Sequence, residues 1–507
     1  TIVILVIIIG GCEQNLMELE PRDTVSTEIA YSTLEGLEGA IYAVYDRGKY
    51  PYSEIDFSLY KIFYTDIVRA GTGIVDQRVW LQMATFAGFD ATNTGIKRIW
   101  EAYYSALNKA NTIIALIDEV EYNIENPISV QRRNTVLGEA LYFRAFYHLN
   151  LVEYWDNIFL SDRVYDDPNY TFELSPKEDV YDLIVADLKE AIPLLPEAAD
   201  VNSRGKVTKG VARHLLSLVY LDLEIWSEAA ILAEKVIADP SYDFAPIDQI
   251  FSNDYQDNSE ILFSWQFIIG DFNYSQRASA QLAPYYDRIN GVNRTFEQGA
   301  RPWHRMSPTE YYWSLFEQGD LRLEAWHKLY WIYDIDDPSD PLPAGVEFGD
   351  TVTIVELDAV LDYGERLFEP TTTKYWENGS LGRTLDMDQG YRNIIQFRYS
   401  EAYLVAAEAY MNSGNATRGQ ELFDALRARA GVGSIDLNYD NLLDEQAREL
   451  GFEGRRYPML KRLGILLERV QARSPEIGAN MLSIHERWPL PKDFVDLTGV
   501  KQNEGYE

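Results

Sequence analysis

Cysteine is almost missing. The 507-residue chain has one, Cys12, which excludes an internal disulfide framework and any zinc site built on cysteines. Basic residues are scarce beside acidic ones, 45 Lys and Arg against 80 Asp and Glu, and the net charge of −35 repels phosphate. Nucleic acid and anionic membrane surfaces are therefore excluded as partners. The five histidines, His148, His214, His304, His327 and His485, are scattered singly, as satisfied core or surface histidines are. There is no G-x-S-x-G, no G-x-x-x-x-G-K-[ST] and no H-E-x-x-H, so no catalytic constellation stands out and no cofactor is expected. Ile2 to Ile9 is an uninterrupted aliphatic run, but it spans only about 12 Å as a helix, against about 30 Å for a bilayer core. A transmembrane anchor is thereby excluded for this run. What the chain does have is 46% hydrophobic and only 25% charged residues, enough for a large core. Its length fits two or three units or one large helical architecture.

The aliphatic run has the length of a signal-peptide h-region, and Gly10 and Gly11 precede the cysteine as small residues precede a cleavage site. The chain opens at Thr1 with neither a basic n-region nor an initiator Met, so residues 1–11 read as the remnant of a truncated signal segment. Ile9-Gly10-Gly11-Cys12 resembles a bacterial lipobox, in which the cysteine is lipidated. The bland alternative is a core cysteine after a strand. Multiple acyl chains on Cys12 would hold a soluble body at a membrane, with residues 12–30 as tether and 31–507 as body.

Helical spacing dominates two stretches, 100–240 and 395–470. Trp100, Tyr103, Tyr104, Leu107 and Ala110 follow one buried face. Lys209 to Leu223 and Trp226 to Ala238 predict an antiparallel pair joined by a very short turn. Tyr399 to Met411 and Thr417 to Ala430 predict another, separated by Ser413-Gly414-Asn415 and closed by Gly431 as C-cap. Small residues at Trp226-x-x-Ala229 resemble the helix-turn-helix unit of tetratricopeptide repeats. Residues 240–395 lose the rhythm and fill with Pro, Asp, Gly and aromatics. They predict a loop-rich insertion, with a short strand at Val352 to Leu357.

Several ordered segments resemble the SusD/RagB family of Bacteroidetes nutrient-uptake lipoproteins. They are Trp100-x-x-Tyr103 to Asn111, Glu139 to Tyr154, Asp187-Leu188 through Leu195-Pro196, and Gly205, Lys209 and Ala212, with Lys206 standing where Arg is common. Arg398-Tyr399-Ser400-Glu401 to Gly431, Glu445 to Gly454, and Pro489-Leu490-Pro491 to Tyr506 complete the order. The chain departs from the family at Trp155-Asp156-Asn157-Ile158, Met459, Leu463 and Glu504. The resemblance implies a mostly α fold, with about four TPR-like helix pairs as scaffold. It also implies oligosaccharide capture outside the outer membrane and delivery, as a lid, to a SusC-like TonB-dependent β-barrel. Peptide capture is the nearest alternative. An all-α glycoside hydrolase and an intracellular TPR scaffold are the rivals from other classes, and no catalysis is expected.

Within the residues themselves, Glu449, Glu453, Arg455 and Arg456 read as scaffold charges, because the arginines would keep both carboxylates ionised. The 35 Tyr, 21 Phe and 11 Trp are the more telling feature, since aromatic faces stack on the C–H faces of sugars. They concentrate between Arg301 and Tyr333. Trp326, Tyr330 and Trp331 read as a helix's buried face. Arg78, Trp80, Tyr285, Tyr286, Trp303, Tyr312 and Trp313 are the expected ligand contacts. Asp334, Asp336, Asp337 and Asp340 could ligate calcium, although the loop lacks the glycine and terminal Glu of an EF-hand and favours a solvated reading.

Overall fold

The structure, a computed structural model, describes residues 31–53, 59–71, 78–165, 171–271, 275–335, 340–352 and 369–507. Cys12, Asp336, Asp337 and the strand expected at Val352 to Leu357, beyond Val352 itself, lie outside the described residues. Eight long helices form four packed pairs. Helix α1 (Leu34–Ser53) packs on α3 (Thr94–Leu116), with the short α2 (Arg78–Thr85) between them in sequence. The following pairs are α4 (Pro127–Trp155) with α5 (Lys177–Leu194), α6 (Lys209–Asp222) with α7 (Trp226–Ile237), and α8 (Tyr399–Ser413) with α9 (Ala416–Arg429). Each pair also packs on the next, α3 on α4, α5 on α6 and α7 on α8. The expected scaffold is therefore present, and its first pair begins before residue 100.

Local chemistry sets these boundaries. Asn93 accepts from the Gly95 and Ile96 amides at the start of α3, Asn126 caps α4 ahead of Pro127, and Thr208 caps α6, each satisfying end amides that lack a helical partner. Gly414 ends α8 with φ 89°, a conformation that costs residues with a Cβ. Buried alanines (Ala229 and Ala233 on α7, Ala402, Ala406 and Ala409 on α8) let the backbones approach. At Gly419 the approach is closest: a Cβ there would lie 2.9 Å from the Ala407 carbonyl oxygen.

The insertion is closed at its base by an antiparallel pair, β2 (Ile261–Trp265) with β6 (Ile394–Arg398), and β6 runs straight into α8. A second pair, β1 (Val68–Ala70) with β3 (Met306–Pro308), ties the early chain to the insertion. The third, β4 (His327–Lys328) with β5 (Thr371–Thr372), lies within it. Beneath these pairs sits a buried charge network. Arg398 donates to Glu260 at 2.6 Å, Glu449 at 2.9 Å and Glu453 at 2.7 Å. Arg322 donates to Glu445 at 2.7 Å and Glu449 at 3.0 Å. Burial opposes ionisation of Glu449, yet Arg429, Arg398 and Arg322 hold its carboxyl well below the usual range. The scaffold reading of Glu449 and Glu453 is thus correct, but their partners come from distant segments. Arg455 and Arg456 pair instead with Glu401 and Asp66.

Candidate functional site

The β1–β3 pairing brings the segment after Ala70 beside the segment before Met306, and this junction gathers part of the expected site. Trp303, His304 and Arg305 are fixed by backbone amides donating to Ala280, Ala283 and Gln281 carbonyls at 2.8, 3.0 and 2.7 Å. The Gly71 amide donates to the Arg305 carbonyl at 3.0 Å. The backbone is bent hard around Trp303, with positive φ at Gly299 (126°), Ala300 (52°) and His304 (46°). Left-handed conformations at residues with a Cβ store strain of order 1–3 kcal/mol each, and such strain clusters at functional sites.

Arg305 lies over two indoles, 5.5 Å from the Trp80 ring and 5.5 Å from the Trp303 ring. Trp80 is buried, wedged edge-on against Phe63 at 5.5 Å, whereas Trp303 is half-buried. Tyr285, also half-buried, meets the His304 ring edge-on at 6.2 Å and carries the Arg288 guanidinium at 3.8 Å from its centroid. Arg78 begins α2 exposed. Trp303 and Tyr285 are thus two half-buried rings on either side of His304 in this junction, with Arg305 and Arg288 stacked on them. The Arg305–Trp80 stacking leaves no sequence signal, because it depends on a strand pairing across more than two hundred residues, whereas Arg288 on Tyr285 and Arg305 on Trp303 are local contacts that no periodicity marks.

Three expected contacts are corrected. Trp80 is a buried anchor rather than a ligand contact, because α2 turns its indole inward. Tyr286 is fully buried in a satellite core with Trp331, its hydroxyl donating to the Ala300 carbonyl at 2.5 Å. Tyr312 is fully buried, 2.9 Å from His327 Nε2 through its hydroxyl. Trp313 is half-buried but packs elsewhere, against Phe316 and His327. The helix expected under Trp326, Tyr330 and Trp331 is also corrected. A short helix ends at Ala325 and β4 follows. Trp326 and Trp331 are nonetheless buried, their indole N–H groups donating to Ile247 and Gln298 carbonyls, while Tyr330 is 58% exposed.

Among the described residues no group of three or more His, Cys, Asp or Glu could hold a metal ion. Asp334 and Asp340 accept from the Asn293 and Gly291 amides at 2.5 and 3.3 Å, which makes them loop braces. A buried Ser307, His304 and Glu369 cluster deserves a chemical test. His304 Nε2 lies 2.7 Å from Ser307 Oγ and 2.8 Å from Glu369 Oε1, so one ring nitrogen faces both partners. A triad needs the acid and the nucleophile on opposite nitrogens, and this cluster instead pins the base of the Trp303 segment.

Four stacked helix pairs carrying a loop-built aromatic face define the class of molecule: a repeat scaffold whose insertion presents rings to solvent. A family model described as "Starch-binding associating with outer membrane" matches residues 38–221, and the SusD family model matches residues 371–506. A SusD-like protein of Bacteroides ovatus is 21% identical over 88% of this chain and 79% of its own length. SusD-like protein P2 of Formosa agariphila is 23% identical over 91% and 90%. Among solved structures, a laminarin binding SusD-like protein superposes with a TM-score of 0.76 at 22% identity, over 94% of this chain and 100% of that one. The chain belongs to the SusD/RagB family.

Proposed function

We propose that the protein binds an oligosaccharide through the Trp303–Tyr285 face and delivers it, as a lid, to a SusC-like TonB-dependent β-barrel, catalysing no reaction. The observation that carries this reading is the half-buried Trp303 ring on a strained, backbone-anchored segment, with the half-buried Tyr285 ring held against its neighbour His304. A held aromatic face meets the C–H side of a sugar ring without losing side-chain freedom on binding. Membership of a family whose matching model is described as starch-binding and likeness to a laminarin binding SusD-like protein support a glycan rather than a peptide. In this reading lipid on Cys12 anchors the body at the outer membrane, facing outward. No helix among the described residues is long and apolar enough to cross a membrane, which agrees with such an anchor. Ligand contacts from both partners favour the closed lid, and the energy for transport comes from elsewhere.

Calorimetry of the purified protein with laminarihexaose, maltohexaose and a set of oligopeptides tests this. Trp303→Ala should weaken the bound glycan by about tenfold or more while leaving the circular dichroism spectrum intact. Binding of peptides alone would transfer the site to the peptide reading. Absence of all binding, together with failure to co-purify with a large outer-membrane barrel, would overturn the proposal.

A further inference from the structure

A cavity lies on the helical scaffold, sharing no lining residue with the Trp303 site. It is a half-open cleft of about 540 Å³ between α1, the turn before α6 and the end of β2, within the roughly 300–1,000 Å³ usual for small-ligand pockets. Its back is Trp265, whose indole lies so tightly on α1 that a Cβ at Gly48 would come within 2.0 Å of it. Tyr42, 56% exposed, and Ile268, 52% exposed, form apolar flanks.

Each charge at this cleft is matched. Lys49 Nζ lies 3.4 Å from Asp46. Lys206, the residue standing where the family commonly has Arg, lies 3.8 Å from the buried Glu139 and 4.5 Å above the Tyr42 ring. Glu139 is in turn braced by the Tyr45 hydroxyl at 2.6 Å. The Lys206 ammonium donates to the Tyr42 hydroxyl at 3.3 Å, a long bond for a group with three donors.

These observations select the occupant by elimination. A phosphate or other anion finds no net positive charge. A purely apolar ligand would strip water from Lys206 and Asp46 without replacing its hydrogen bonds. What remains is a neutral molecule that both donates and accepts, with an apolar face for Tyr42 and Ile268. We propose that this cleft is a second saccharide site, taking one short neutral sugar segment independently of the Trp303 face.

Saturation-transfer NMR on the full chain, with glucose, galactose, mannose, laminarihexaose and maltohexaose as probes, tests the proposal. At least one probe should keep a signal in Trp303→Ala that Tyr42→Ala removes, and Lys206→Met should weaken that probe by about tenfold. Tyr42 is exposed, so its truncation leaves the fold intact, and Lys206→Met keeps the aliphatic stem. If no probe shows a Tyr42-dependent signal, or if only a neutral tripeptide control does, the proposal is overturned. If adding Trp303→Ala to Tyr42→Ala costs no further glycan binding, the first site is refuted instead, so the two failures are distinguishable.

Discussion

Arginine does opposite work in two regions of this molecule. Under the helical scaffold Arg398, Arg322 and Arg427 are fully buried, and carboxylates from several segments meet their guanidiniums. Arg398 also lies over the Phe251 and Trp326 rings, but at the candidate site the rings under Arg288 and Arg305, Tyr285 and Trp303, are half-buried and reach solvent. In the first region a guanidinium is a structural node, since several segments converge on it and none can leave without exposing a buried charge. In the second it shapes a surface by covering or propping a ring. The segments that carry the family resemblance, Arg398 to Gly431 and Glu445 to Gly454, belong to the first kind. Family likeness thus reports on the scaffold, while the proposed ligand rings, Tyr285 and Trp303, lie outside both matched stretches.

The comparison breaks most visibly at its strongest node. Arg398→Leu leaves Glu260, Glu449 and Glu453 facing an apolar side chain, and removing one partner from a buried charge cluster costs about 3–5 kcal/mol. Urea denaturation should show this loss, or no folded protein at all. A cost below about 1 kcal/mol would mean that the network is solvated and the contrast is false. Trp303→Ala, on the exposed side of the comparison, should shift the urea midpoint far less.

The helix pairs were legible because periodicity, caps and small residues act within a few turns of one another. Lys209 to Leu223 and Trp226 to Ala238 match α6 and α7 to within one residue at each end. The aromatic face was legible only in part. Trp303 and Tyr285 each follow a proline in sequence, Pro302 and Pro284, and they do reach solvent. Trp80, Tyr286 and Tyr312 instead fill cores that form only when β1 meets β3 or when Trp331 folds over Tyr286. Burial of a single ring in an irregular insertion is decided by non-local contacts, which leave no period to read.

Histidine offers a second, pH-dependent contrast. Burial pushes His148 and His327 down to about 3 and His485 down to about 4, so the folded chain holds all three neutral. The unfolded chain takes up those protons below about pH 6.5, and the folded chain does not until far lower pH. Stability is therefore fully present above about pH 6.5 and falls as pH drops toward 4, by about 1.4 kcal/mol per pH unit for each histidine. His327→Gln should flatten the slope of the unfolding free energy between pH 6 and 4 by about one proton's worth. An unchanged slope would show that His327 is protonated in the folded state.

The smallest effect sharpens the exposed side of the comparison. Arg288 covers the Tyr285 ring at 3.8 Å, and a cation over an exposed ring is worth about 0.5–1 kcal/mol. A sugar stacking on that face must first displace the guanidinium. Arg288→Ala should therefore leave the urea midpoint almost unmoved and tighten glycan binding by about 2–5-fold, the same 0.5–1 kcal/mol returned to the ligand. Calorimetry with the hexaose that binds the wild-type protein reads this directly. Weaker binding in Arg288→Ala would mean that the guanidinium itself holds a hydroxyl, and that Tyr285 supports the arginine rather than the sugar.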